Sequence, residues 1–130
     1  MYLTWMDRTG SVASATCAAH CLILSAAPAL LSLLGLEFLR HEAFEWGLFG
    51  LALSVAALAA GLGYRVHRSP WVLGSFGAGM AVLLAGRLGE ALALYEGAGL
   101  LAILGGLLLV VCHLRNIGSI RACKASCCSP

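Results

Sequence analysis

Charge is what this 130-residue sequence has least of: Asp, Glu, Lys and Arg make up 11% of it, against 61% hydrophobic residues and a mean hydropathy of +0.93. A soluble domain carries about 25% charged residues, so this chain cannot clothe a water-exposed globule. A net charge of +2 is too small to argue for nucleic acid. Alternating ten-residue segments are missing, which excludes a membrane barrel. No glycine-rich phosphate loop is present, so the chain has no nucleotide-binding signature of its own. Internal repeats and low-complexity linkers are absent as well.

What remains is four long apolar stretches between short charged clusters. A bilayer span needs roughly 20 such residues. The expected spans cover approximately 11–35, 43–64, 70–92 and 97–114, followed by a cysteine-rich tail over 115–130. The fold class is therefore all-α, a single four-span transmembrane helical bundle with the lipid bilayer as its first partner. Pro28 lies inside the first stretch, where it removes a backbone donor and predicts a kink or break. That stretch is too long and too continuous for a cleaved signal peptide. Small residues four apart (Ala57 and Gly61, Gly74 and Ala78, Ala102 and Gly106) suit the close helix contacts of bundles in lipid. Arg87 and Glu90 stand three apart and can pair along one helix face.

Basic residues are unevenly shared between the two sides. Four spans put Arg8, Arg65, Arg68, Arg115, Arg121 and Lys124 on the side of the termini. The opposite side holds Arg40 and Arg87 with Glu37, Glu42, Glu45, Glu90 and Glu96. The positive-inside rule then places both termini in the cytoplasm.

Six cysteines and four histidines fall on this layout with a bias. Cys17, His20 and Cys21 stand at spacings of three and four on one face of the first span. His67 follows the second span, and Cys112 and His113 close the fourth. Cys123, Cys127 and Cys128 lie in the tail, and only His41 is on the outer side. Thiols in or beside a reducing compartment argue against a disulfide framework. Thiolate selects soft and borderline ions such as Cu(I), Zn(II) or heavy metals, and imidazole suits zinc and copper. Metal candidates are therefore Cys17, His20, Cys21, His67, His113, Cys123, Cys127 and Cys128, with no catalytic cofactor expected. Cys112 reads as a packing residue. His67 and His113, beside arginines at helix ends, serve equally as interfacial caps or as ligands. Palmitoylation is an alternative for the tail cysteines.

These residues together resemble the MerC-type mercury resistance membrane proteins. The likeness runs through D-R-T-G-S-V-A-S-A-T-C-A-A-H-C (Asp7 to Cys21), G-Y-R-V-H-R (Gly63 to Arg68), H-L-R-N (His113 to Asn116) and C-K-A-S-C-C (Cys123 to Cys128). The resemblance implies a bacterial inner-membrane importer, not an enzyme, that takes Hg(II) and hands it to a cytoplasmic acceptor such as mercuric reductase or a metallochaperone. It implies that Cys17 opens a membrane cysteine pair, with Cys123 and Cys127 or Cys128 as a loosely corresponding C-terminal pair. One departure stands out. His20 occupies the place of the second membrane cysteine, and Cys21 follows it. The sulfur spacing becomes four and still shares a face, while the added nitrogen shifts the donor set toward zinc or copper. Alternatives are a zinc- or copper-binding protein of the same fold, for transport or sensing, and a thiol-redox or metal-dependent membrane protein. A structural subunit, or a homo-oligomer forming the pathway, is the third class.

Overall fold

The computed structural model describes residues 2–26 and 28–127 and is built from helices, with no strand among the described residues. Helix α1 covers Tyr2–Ala26, a six-residue α2 covers Pro28–Leu33, and a 3-10 turn follows at Glu37–Arg40. Helices α3 (Glu42–His67), α4 (Pro70–Ala91) and α5 (Ala98–Cys127) complete the chain. Four segments, Thr4–Ala26, Glu42–His67, Pro70–Ala91 and Ala98–Cys123, are long and apolar enough to cross a membrane. The chain is thus a four-span, all-helical protein, and large side chains such as Leu22, Leu58, Trp71, Leu100 and Leu104 project from its outer surface.

The first span differs from the one expected over 11–35. It begins seven residues earlier, at Thr4, because its polar letters are absorbed within the helix. The hydroxyls of Thr9 and Ser11 donate to the carbonyls of Trp5 and Asp7 one turn back (3.0 and 2.9 Å), so neither competes for the helix backbone from outside. It ends at Ala26, and a new helix starts at Pro28, whose missing N–H is harmless at a first turn. The expected tail also differs. Residues 115–127 continue α5 as an unbroken helix, and Cys128 lies outside the described residues.

Helix ends follow local chemistry. The Ala43 amide donates to Nδ1 of His41 at the start of α3, where Glu42 and Glu45 face the positive end of the helix dipole. Arg68 adopts the left-handed conformation (φ 50°) and its amide closes on the Tyr64 carbonyl, after which Pro70 opens α4.

Helix α5 packs most extensively against α4 and α1. Glycine makes this possible. A Cβ at Gly86 would strike the backbone of Ala102, and one at Gly105 would strike the backbone of Leu83. Gly106 lets Ala18 and the Ser14 carbonyl approach from α1. Of the three small-residue pairs, only Ala102 and Gly106 sit in a helix contact. Ala57, Gly61, Gly74 and Ala78 face outward, with nothing within 4 Å of a Cβ placed at Gly61 or Gly74.

Candidate metal centre

The start of α1 and the ends of α3 and α5 meet at one end of the bundle, here the terminal end. The glutamate-rich turns gather at the other, the acidic end. One stripe of α1 runs between them: Asp7, Gly10, Ser14, Cys17 and Cys21, spaced three, four, three and four. The first four of these are buried and Cys21 is half-buried. Such a stripe faces one partner along its length.

Toward the acidic end, Cys17 and Cys21 stand one helical turn apart on α1. They line a cavity of about 490 Å³ whose other walls include Glu45, Arg87 and Glu90. Arg87 ion-pairs with Glu45 on α3, reaches Glu90 at 3.5 Å as its spacing suggested, and lies 5.1 Å from the Trp46 ring centre. With Arg40 and Glu42 also on the wall, three carboxylates against two guanidiniums leave a formal charge of −1 there, favourable to a cation. His20 lines the same cavity, but Nε2 donates to the Leu39 carbonyl (2.8 Å) and the ring packs on Phe44. Only its Nδ1 remains as a donor to an ion. Among the described residues no three His, Cys, Asp or Glu side chains converge as a metal cluster. The cavity therefore offers a two-sulfur site with polar walls.

At the terminal end the structure assembles a network that spacing alone does not reveal. The Ser69 amide donates to His67 Nδ1 (3.0 Å), so His67 Nε2 carries the proton and donates to Asn116 Oδ1 (2.9 Å). The Asn116 amide nitrogen then reaches both oxygens of Asp7 (3.0 and 2.9 Å). His113 Nδ1 donates to Asp7 Oδ1 from the other side (2.9 Å). Asp7, His113 and Asn116 are 1%, 0% and 0% exposed. Gly10 and Gly63 make room for them, since a Cβ at either would collide with the His113 ring or the Asn116 amide. His113 Nε2 and Ser14 Oγ are buried without a partner among the described residues.

The structure thus unites Cys17, His20 and Cys21 and places His67 and His113 elsewhere. Both nitrogens of His67 are occupied. Cys123 is half-buried, with its sulfur 3.7 Å from the Val66 carbonyl. The Cys127 side chain, like Cys128, lies outside the described residues. Sequence reasoning missed Asp7 and Asn116 as members of a site, and Arg87 as a wall of the thiol cavity. The signal for Asp7 was its place on the stripe of Cys17 and Cys21, hidden by starting the span at residue 11.

Four membrane-spanning helices, with a cysteine pair opening into a charged cavity among them, define a multi-pass membrane protein. The MerC mercury resistance protein model matches residues 7–118, and the chain belongs to that family. It is accordingly a multi-pass membrane protein of a mercury resistance, transport-related family. Neither a curated protein nor a solved structure matches it.

Proposed function

We propose that this chain carries Hg(II) across a bacterial inner membrane toward the cytoplasm, with Cys17 and Cys21 as the capture site. The observation that supports the reading is the pair of cysteines, one helical turn apart, that line the charged cavity. Hydrated or halide-bound Hg(II) enters along the glutamate and arginine wall. Each thiol gives up its proton, and two sulfur–mercury bonds replace two of the ion's incoming ligands. In this reading the cavity faces the periplasm and the terminal end the cytoplasm, an orientation that the charge bias supports. Cys123, Cys127 and Cys128 then serve as the receiving set for a cytoplasmic acceptor such as a reductase. A two-sulfur site with His20 tied to a carbonyl suits mercury better than the zinc or copper that its imidazole suggested.

The test is accumulation of radioactive Hg(II) by cells expressing wild type, Cys17→Ser, Cys21→Ser or the double variant. Accumulation should fall to the level of cells lacking the protein in all three variants. Undiminished uptake by a correctly inserted double variant would refute the assignment.

A further inference from the structure

Helices α4 and α5 meet along a line set by glycine: Gly79 against Leu109, Gly105 against Leu83, and Gly86 against Ala102. On one edge of that contact a groove of about 390 Å³ remains, lined by Pro70, Trp71, Gly74, Ser75, Ala78 and Leu108. Its walls are apolar, and the one hydroxyl on them, that of Ser75, donates to the Val72 carbonyl (2.7 Å). From Pro70 to Ala78 the groove runs about 12 Å on the helical rise. One leaflet of a bilayer supplies about 15 Å of hydrocarbon, half of a core about 30 Å thick. The groove therefore matches the depth of one leaflet's chains. It opens outward to them, with nothing within 4 Å of a Cβ placed at Gly74.

The rim of the groove at the terminal end is cationic. On the register of α4 and α5, Arg115 is level with Leu73 and Gly74. It also follows Leu108 by two helical turns on the same face of α5. Arg68 closes α3 just ahead of Pro70. Both arginines are exposed, and neither guanidinium has a carboxylate partner among the described residues. Trp71 is 77% exposed beside them, and an indole favours the boundary between hydrocarbon and headgroups. The long stem of an arginine lies on apolar surface and lifts its charge to the same boundary.

Two occupants suit an apolar groove in a bilayer. A second copy of the chain, inserted the same way, would bring its own arginines to the same height, like charge against like. A lipid with an anionic headgroup satisfies both features at once. Its chain covers the apolar wall, and its phosphate oxygens match the paired donors of a guanidinium. A zwitterionic headgroup brings an ammonium to the same rim and gains less.

We propose that the groove between α4 and α5 binds an anionic phospholipid, with one acyl chain along Gly74, Ala78 and Leu108 and the headgroup phosphate held by Arg68 and Arg115. The site lies on the lipid-facing surface, away from the thiol cavity, and its occupancy needs no metal. Each arginine near the surface favours an anionic lipid by about fivefold.

The experiment uses full-length protein in phosphatidylcholine vesicles to which phosphatidylglycerol is added, with bromine carried on the chains of one lipid or the other. Bromine quenches a tryptophan that it touches, and Trp71→Phe separates the Trp71 signal from those of Trp5 and Trp46. In wild type, Trp71 should prefer phosphatidylglycerol by about tenfold or more. Arg68→Gln/Arg115→Gln should bring the ratio close to one. Gly74→Leu, which fills the groove and keeps both charges, should do the same. Equal quenching by the two lipids in wild type overturns the site without recourse to any variant. A preference that survives Gly74→Leu and falls only with the arginines is a diffuse charge effect, and it overturns the groove. Trp71 shielded from bromine on either lipid would show a second copy covering this face, and would overturn the proposal as well.

Discussion

Replacing Asp7 by Ala should be among the most destabilising single changes in this protein, and the structure supplies the magnitude. The carboxylate accepts from His113 Nδ1 and from the Asn116 amide, all three groups being essentially inaccessible. Truncation strands two buried donors, each costing about 1–3 kcal/mol, so a loss of roughly 2–6 kcal/mol is expected. The pairwise coupling should be smaller. Hydrogen bonds measured by double-mutant cycles in membrane bundles average about 0.6 kcal/mol and reach about 1.7 kcal/mol. A cycle over Asp7→Ala and Asn116→Ala separates the two quantities, since the double variant removes both an acceptor and a donor that needs it. Reversible unfolding in mixed micelles, followed by circular dichroism, reads all four proteins. Asp7→Asn should fall between wild type and Ala, because its amide oxygen still accepts one bond. A cost below about 0.5 kcal/mol for Asp7→Ala, typical of a surface substitution, would show that the network is hydrated.

Gly86→Ala and Gly105→Ala should each cost about 1–3 kcal/mol or more in the same assay, because the added carbon meets backbone that cannot rotate away. Gly61→Ala and Gly74→Ala, with open space around them, should instead be neutral or stabilising by up to about 1 kcal/mol through helix propensity. Arg87→Met leaves Glu45 and Glu90 without their countercharge at the half-buried cavity wall. Thermal unfolding should occur at lower temperature, with partial recovery in Arg87→Met/Glu45→Gln. An unchanged transition would mean that cavity water already screens the three charges.

The four spans were legible because the physics that makes them is one-dimensional. Apolar length, interrupted by charge, needs no knowledge of neighbours, and Pro28 announced the break beside it. The thiol pair was legible for the same reason, as Cys17 and Cys21 share a face by spacing alone. Contacts between helices were not. Nothing local in Gly61 or Gly106 says which one meets another helix. His113 and His67 looked alike, as imidazoles beside arginines, yet one ends with a bare nitrogen and the other with none. Asp7 lay outside the expected span because an acid near a chain start reads as solvated. It is buried because Gly10 and Gly63, from two different helices, leave space for the partners that satisfy it.

Helix α5 is 30 residues long, which at 1.5 Å per residue is about 45 Å, whereas a hydrocarbon core is about 30 Å thick. About 15 Å of helical rod is therefore in excess of the core thickness on that rise. The basic residues Arg115, Arg121 and Lys124 favour that excess at the terminal end. Cys123 rides on this rod, braced by Val66 at the end of α3. On the proposed handoff, an acceptor would meet the Cys123 sulfur at a set height and bearing. Inserting one residue between Leu114 and Cys123 would swing that sulfur by about 100° with almost no change in height, whereas inserting a full heptad would restore its bearing and raise it about 10 Å.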